Sequence, residues 1–361
     1  MLKSIYFSCA VVLALVSELP ARQAPVVSPI IHPDGKVTFQ VQAQQATKAS
    51  VSGQMTKGKV AMTRDENGIW STTLDPVPPG VYEYSLNVDG MQMVDPGNMQ
   101  IKPMRSPRTS ILYIPGDTVH DFKDVPHGTV HYHGYQSKPI QRFREMQVYT
   151  PPGYETGDEA YPLLVLQHGH SDCFATWVTH GKAHWILDNL IASGKAVPMI
   201  VLMLDGHPIP ESYGDGRSVA NTEELRRDLI EAALPMVEKM YRVKPGREHR
   251  AITGLSMGGL HALTIGLNEL ETFAWVGAFS AAVPSADQVK ASLSDRVKTN
   301  EQLKLLWIAC GKDDFLLKEN HTFNAALKES GITCDFRLTD GGHSWPVWRG
   351  YLADFVPLLF R

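Results

Sequence analysis

Three side chains in the C-terminal half of the sequence are of the types that together perform nucleophilic acyl transfer: Ser256, Asp314 and His343. A serine hydroxyl attacks only when a base takes its proton, and an imidazole does so best when a third group holds it in one tautomer and direction. Ser256 sits in Thr253-Gly254-Leu255-Ser256-Met257-Gly258-Gly259, a Gly-x-Ser-x-Gly pattern that holds a serine on a tight turn between a strand and a helix. The glycines two positions away on either side allow that strand and helix to pass closely. For the acid, Gly311-Lys312-Asp313-Asp314-Phe315 offers two aspartates. The Gly-x-x-Asp spacing favours Asp314, and Asp313 reads as a solvated turn residue. His343 follows in Asp340-Gly341-Gly342-His343-Ser344-Trp345, where the glycines let the backbone turn back over the site and Trp345 and Trp348 are placed to wall it.

These residues need a scaffold that brings distant loops to one place. Residues 249–254 read as a short buried strand entering the serine turn, and 258–267 carry Leu260, Ala262, Leu263 and Ile265 at helical spacing beyond it. Continuous apolar runs at 162–167, 199–204, 275–279 and 305–310 read as further strands. Helical periods occupy 183–193 and 222–240, the second with Asn221 before Glu224 in the manner of a capping box. Strands alternating with helices predict a mostly parallel sheet covered on both faces, with ligands held by loops at the C-terminal strand ends. An antiparallel hairpin leads in, from alternation over 125–130 and again over 141–150. The loop His168-Gly169-His170-Ser171-Asp172 follows the first long strand, where it can offer a backbone N–H to an oxyanion, with Met257 after the serine as the second donor. His168, His170 and Asp172 also invite a metal-ligand reading. No second ligand cluster shares their spacing, so the expectation is no metal and no organic cofactor.

Residues 28–115 are of another kind, with short strands, no helical period, and turn signals at Asn67-Gly68, Pro78-Pro79-Gly80 and Asp89-Gly90. They predict a small β-sandwich in which Trp70, Tyr82 and Tyr84 alternate as core residues do. Residues 103–126, rich in Pro and Gly, read as a linker, and the second domain is set at 125–361. Residues 1–24 combine Lys3, an apolar run over 5–16 and small residues near Ala21 and Ala24, the pattern of a cleaved signal peptide. The run is shorter than the roughly 20 residues a spanning helix needs. The expected location is therefore periplasmic or secreted, with no membrane association after cleavage. Beyond that segment remain Cys173, Cys310 and Cys334, an odd number that leaves at most one bridge. A net charge of −4 supplies no basic stripe for nucleic acid, and 43% hydrophobic residues over 361 are ample for a packed core.

With these parts in place the chain resembles the esterases of carbohydrate esterase family one. The likeness is carried by Val125-Pro126-His127-Gly128, Val148-Tyr149-Thr150-Pro151-Pro152-Gly153-Tyr154, His168-Gly169, Ile186-Leu187-Asp188-Asn189-Leu190, Gly254-Leu255-Ser256-Met257-Gly258-Gly259, Cys310-Gly311-Lys312-Asp313-Asp314-Phe315 and Gly341-Gly342-His343-Ser344-Trp345-Pro346. Asn67-Gly68-Ile69-Trp70, Gly80-Val81-Tyr82-Glu83-Tyr84 and Asn87-Val88-Asp89-Gly90 likewise resemble early-set, immunoglobulin-like domains related to family-48 carbohydrate-binding modules. The resemblance implies an α/β-hydrolase domain behind an immunoglobulin-like sandwich, with Ser256 as nucleophile, His343 as general base and acid, Asp314 as orienting acid, and His170 and Met257 as oxyanion donors. Relatives usually have glycine where this chain has His170, which bears on pocket size. It further implies a serine esterase acting on plant cell-wall polysaccharide esters, feruloyl groups on arabinoxylan foremost and acetylated xylan next. Trp177, Trp185, Tyr213 and Trp345 are candidate walls for an aromatic acyl group. The competing class is a carbohydrate-binding protein whose hydrolase domain has lost activity.

Overall fold

The computed structural model describes residues 26–209 and 215–361. The signal segment expected at 1–24 lies outside the described residues. Two antiparallel sheets form the first unit. One runs in the order Ile30–Ile31, Val37–Gln42, Ile69–Leu74, Thr63–Arg64, and the other in the order Val60–Ala61, Ala49–Gly53, Gly80–Val88, Met91–Met93, with Ser110–Ile114 also paired to Gly80–Val88. Val37, Phe39 and Val41 meet Val51, Tyr84, Leu86 and Leu112 in a shared core, because residues two apart point to one face of a strand. Trp70 joins this core and donates from Nε1 to Ala43 O at 3.0 Å. Asp89 and Gly90, with φ of 49° and 93°, close the two-residue hairpin between Gly80–Val88 and Met91–Met93, the left-handed pair that such a turn requires.

The segment read as a linker is more ordered in role than its composition suggests. Part of it is the strand Ser110–Ile114. Beyond that strand, Asn189 Nδ2 donates to the carbonyls of both Val119 and Asp121 at 2.8 Å. Proline and glycine suppress periodicity, but they do not prevent a chain from being tied down by side chains of its neighbours.

Eight strands make the sheet of the second unit: β1 (Thr129–Ser137), β2 (Arg142–Thr150), β3 (Leu163–Gln167), β4 (Ile200–Leu204), β5 (Arg250–Gly254), β6 (Trp275–Phe279), β7 (Leu305–Gly311) and β8 (Asp335–Thr339). Their order is β1-β2-β4-β3-β5-β6-β7-β8, with β1–β2 and β2–β4 antiparallel and the rest parallel. Successive residues feed opposite faces. Leu163 and Val165 pack with Leu202, Ile252 and Leu263 on one side, and Leu164 and Leu166 pack with Val201, Trp177 and Phe355 on the other. A one-residue slip would exchange these two sets, so the paired cores fix the register.

The helix expected at 222–240 starts one turn earlier. Val219–Asp228, a π segment Leu229–Ala233 and Leu234–Met240 follow one another, and Ser218 caps the start by accepting from Asn221 N. Asn221 is not a cap: it is buried, and its Nδ2 donates to Gly206 O and Gly216 O at 3.0 and 3.1 Å. Cys173, Cys310 and Cys334 are all free thiols.

Candidate active site

Ser256 stands between β5 and the helix Met257–Asn268 with φ 52° and ψ −113°, a conformation that costs a non-glycine residue about 1–3 kcal/mol. The surroundings hold it there. Its N–H donates to Phe279 O at 2.9 Å, and its carbonyl accepts from Ala282 N at 3.0 Å. A Cβ on Gly254 would lie 2.5 Å from Gly258 O, and one on Gly258 would lie 2.5 Å from His168 O. Backbone occupies both places, so both positions of the elbow require glycine.

The acid and the base come from the loops after β7 and β8. Gly311 lies so close to Gly341 that an added Cβ would meet Gly341 O at 2.1 Å. Asp313 N donates to Gly341 O at 3.0 Å, and Lys312 N donates to Thr339 O at 2.8 Å. With the two loops tied in this way, His343 Nδ1 donates to both carboxylate oxygens of Asp314 at 3.0 Å, and Ser256 Oγ lies 3.0 Å from His343 Nε2. Asp314 is buried and Asp313 is exposed. Burial would raise the Asp314 carboxyl, but the hydrogen bonds from His343 and from Leu316 N–H, the latter at 2.9 Å, bring it below its ordinary value. The ionised acid therefore stays available to hold one imidazole tautomer. Phe315 packs against the His343 ring at a centroid distance of 4.4 Å, with the planes tilted by 47°, while remaining 71% exposed.

The loop after β3 reaches the same sheet edge. A Cβ on Gly169 would stand 3.7 Å from Ser256 Cβ, which puts the Gly169–His170 peptide beside the nucleophile. Met257 is the first residue of its helix, so its N–H has no intrahelical acceptor. His168 does not face a ligand site. Its Nδ1 donates to Gly169 O at 2.7 Å, and its Nε2 accepts from Gly206 N at 2.8 Å. Asp172 pairs with Lys102 at 2.9 Å.

A cleft of about 450 Å³ opens over Ser256 and His343. Its catalytic-sheet side includes His170, Phe315, Trp345 and Trp348, and its opposite side is supplied by Gln54, Glu83, Lys102, Met104, Arg108 and Thr109 of the first unit. Of the three expected aromatic walls that lie among the described residues, only Trp345 borders it. Trp177 is 1% exposed and donates from Nε1 to Gln167 O at 3.0 Å, so it is core. Trp185 packs between Tyr113 and Phe122 under the Lys182 ammonium, away from the cleft. Tyr213 lies outside the described residues. The wall from the first unit was not foreseen; its one sequence trace is the run of Lys102, Arg105 and Arg108, the last two inside the stretch read as linker. Phe315 was missed as well, although it directly follows the acid.

Such an arrangement can pass a proton from a serine to an imidazole and offer backbone N–H groups to a developing oxyanion. That is the chemistry of acyl transfer. Comparison with known proteins points the same way. The model of a family described as "Putative esterase" matches residues 137–359. An endo-1,4-beta-xylanase/feruloyl esterase of Xylanibacter ruminicola is 31% identical over 355 residues, which is 95% of this chain and 47% of that protein. The chain thus spans about half the length of that relative. A solved ferulic acid esterase is 30% identical with a TM-score of 0.55, covering 65% of this chain and 98% of its own. The enterobactin esterase of Shigella flexneri, 19% identical with a TM-score of 0.63, covers 89% of this chain and 92% of its own, and at that identity shares the fold alone.

Proposed function

The chain belongs to the esterase family, and from that premise we propose that it is a secreted serine carboxylic-ester hydrolase acting on acyl esters of plant cell-wall polysaccharide, feruloyl groups on arabinoxylan first among them. The observation that carries the reading is the hydrogen-bonded line from Ser256 Oγ through His343 to Asp314, each step at 3.0 Å. Ser256 Oγ attacks the ester carbonyl as His343 Nε2 takes its proton. The negative charge that gathers on the carbonyl oxygen is met by the N–H groups of His170 and Met257. Collapse of the tetrahedral species breaks the bond to the alcohol, which leaves with the proton from His343. Water then attacks the acyl-serine by the same route, and the carboxylic acid departs.

The substrate class rests on the relative named as a xylanase and feruloyl esterase, whose match takes in both units of this chain. An aryl acyl group is favoured over acetyl by the exposed Phe315 beside His343 and by a cleft of about 450 Å³, a size suited to a ring-bearing ligand rather than two carbons. Secretion rests on the apolar N-terminal run. For the first unit we favour a packing role, as in an early-set domain beside an enzyme, since Trp70 and Tyr84 are spent in its core. Turnover of methyl ferulate beside release of acetate from acetylated xylan tests the substrate. The reading expects kcat/KM for methyl ferulate to be higher by roughly tenfold or more, and the opposite ranking would move the assignment to acetylxylan.

A further inference from the structure

The loop that offers the His170 N–H is held from the other unit. In the reading above, on which this inference rests, that N–H must point at the oxyanion before charge develops, because a donor that has to move at the barrier loses most of its worth. Its direction is set by the planar Gly169–His170 peptide. The Gly169 carbonyl accepts from Asp172 N at 3.1 Å and from His168 Nδ1 at 2.7 Å, which turns the N–H to the opposite side.

The groups that follow are tied to an excursion of the first unit over residues 102–109. Lys102 Nζ lies 2.9 Å from Asp172 Oδ1. Arg105 N donates to Ser171 O at 3.1 Å, and Thr176 Oγ1 donates to Pro103 O at 2.7 Å. Arg105 Nη1 donates to His207 Nδ1 at 3.2 Å, and His207 Nε2 donates to His170 O at 2.7 Å, two contacts met by one neutral tautomer. Burial, with the charges of neighbours, keeps His207 in that neutral form by lowering it to about 3. The excursion is itself anchored, since Lys102 N donates to Thr109 O at 3.0 Å, Ile111 N donates to Gln100 O at 2.7 Å, and Lys102 Nζ reaches Glu83 at 3.0 Å. The Lys102 and Asp172 side chains are each 4% exposed, so solvent screens their attraction little.

We propose that residues 102–109, acting through Lys102 and Arg105, brace the oxyanion loop, so that the first unit is part of the catalytic apparatus and these two are positioning residues for the transition state. Four full-length variants test this on a small soluble ester: Lys102→Met, Lys102→Arg, Arg105→Met, and the triple change Lys102→Met with Asp172→Asn and Glu83→Gln, which leaves neither carboxylate that faces Lys102 as a stranded charge if the single change to Met does not fold. The expected result is a loss in kcat of roughly 10–100-fold with KM within about threefold, partial recovery in Lys102→Arg, and an equal loss of affinity for a boronic-acid transition-state analogue with no change in inhibition by the product carboxylate. If folded variants keep kcat and analogue affinity within about twofold of a wild type that turns over, the brace is wrong and the hydrolase reading stands. If the wild type turns over no ester at all, the hydrolase reading fails and takes the brace with it.

Discussion

At the scale of single residues, the choice between two adjacent aspartates decides what the site can do. Gly-x-x-Asp spacing pointed to Asp314, and the structure places that carboxylate on His343 while Asp313 faces solvent. Asp314→Asn should lower kcat about 10³–10⁴-fold by releasing the imidazole into the wrong tautomer, whereas Asp313→Asn should stay within about twofold; steady-state kinetics showing equal losses would undo the assignment. The elbow was legible because its glycines answer to backbone contact rather than to packing preference. A methyl group at Gly258 would meet the carbonyls of His168 and Gln167 at 2.5 and 2.6 Å. Gly258→Ala should therefore cost both activity and several degrees of melting temperature, and an unchanged thermal transition would show that the turn can relax. The aromatic walls were not legible. Trp177 and Trp185 have the composition of a binding surface, but nothing local in a sequence says whether a tryptophan on a helix faces a cleft or a core.

Among elements, the strands were the easiest to read, since continuous apolar runs such as Leu163–Gln167 and Ile200–Leu204 are buried on both faces and carry their own signature. Boundaries that depend on side-chain hydrogen bonds were harder. Asn221 and Glu224 have the spacing of a capping pair, yet Ser218 caps the helix and Asn221 bridges two carbonyls within the fold. Ser218→Ala should lower stability by about 1 kcal/mol, read as a shift in denaturant midpoint at constant slope. No shift would mean that the first turn draws little from its cap. The connecting segment was misread for a related reason. Its order comes from partners far along the chain, such as Asn189, Thr176 and Ser171, and such partners leave no mark on local composition.

For the molecule as a whole, several histidines are buried neutral. His180 and His261 are both 0% exposed, and burial is the largest cause lowering them to about 3 and about 4. The unfolded chain takes up a proton at each as pH falls through the ordinary value of about 6.5, while the folded chain does not. Stability is thus full above that value and declines below it, by about 2 kcal/mol for each histidine at pH 5. Glu83, lowered to about 2 by His180 and Lys102 against the opposing effect of burial, loses its contribution only as pH falls from about 4.5 toward that value. Melting temperature should accordingly drop by several degrees between pH 7 and pH 5; a flat profile would mean that these histidines take up protons in the fold as readily as in the unfolded chain. The central claim is that an acyl group passes through Ser256. Rapid mixing of the full chain with a p-nitrophenyl ester, followed by quench and peptide mass analysis, tests it directly. A burst of p-nitrophenol matching the enzyme, with the acyl mass on the peptide bearing Ser256 and none in Ser256→Ala, is the result expected. Turnover that survives Ser256→Ala, or an acyl mass on another residue, would contradict the account.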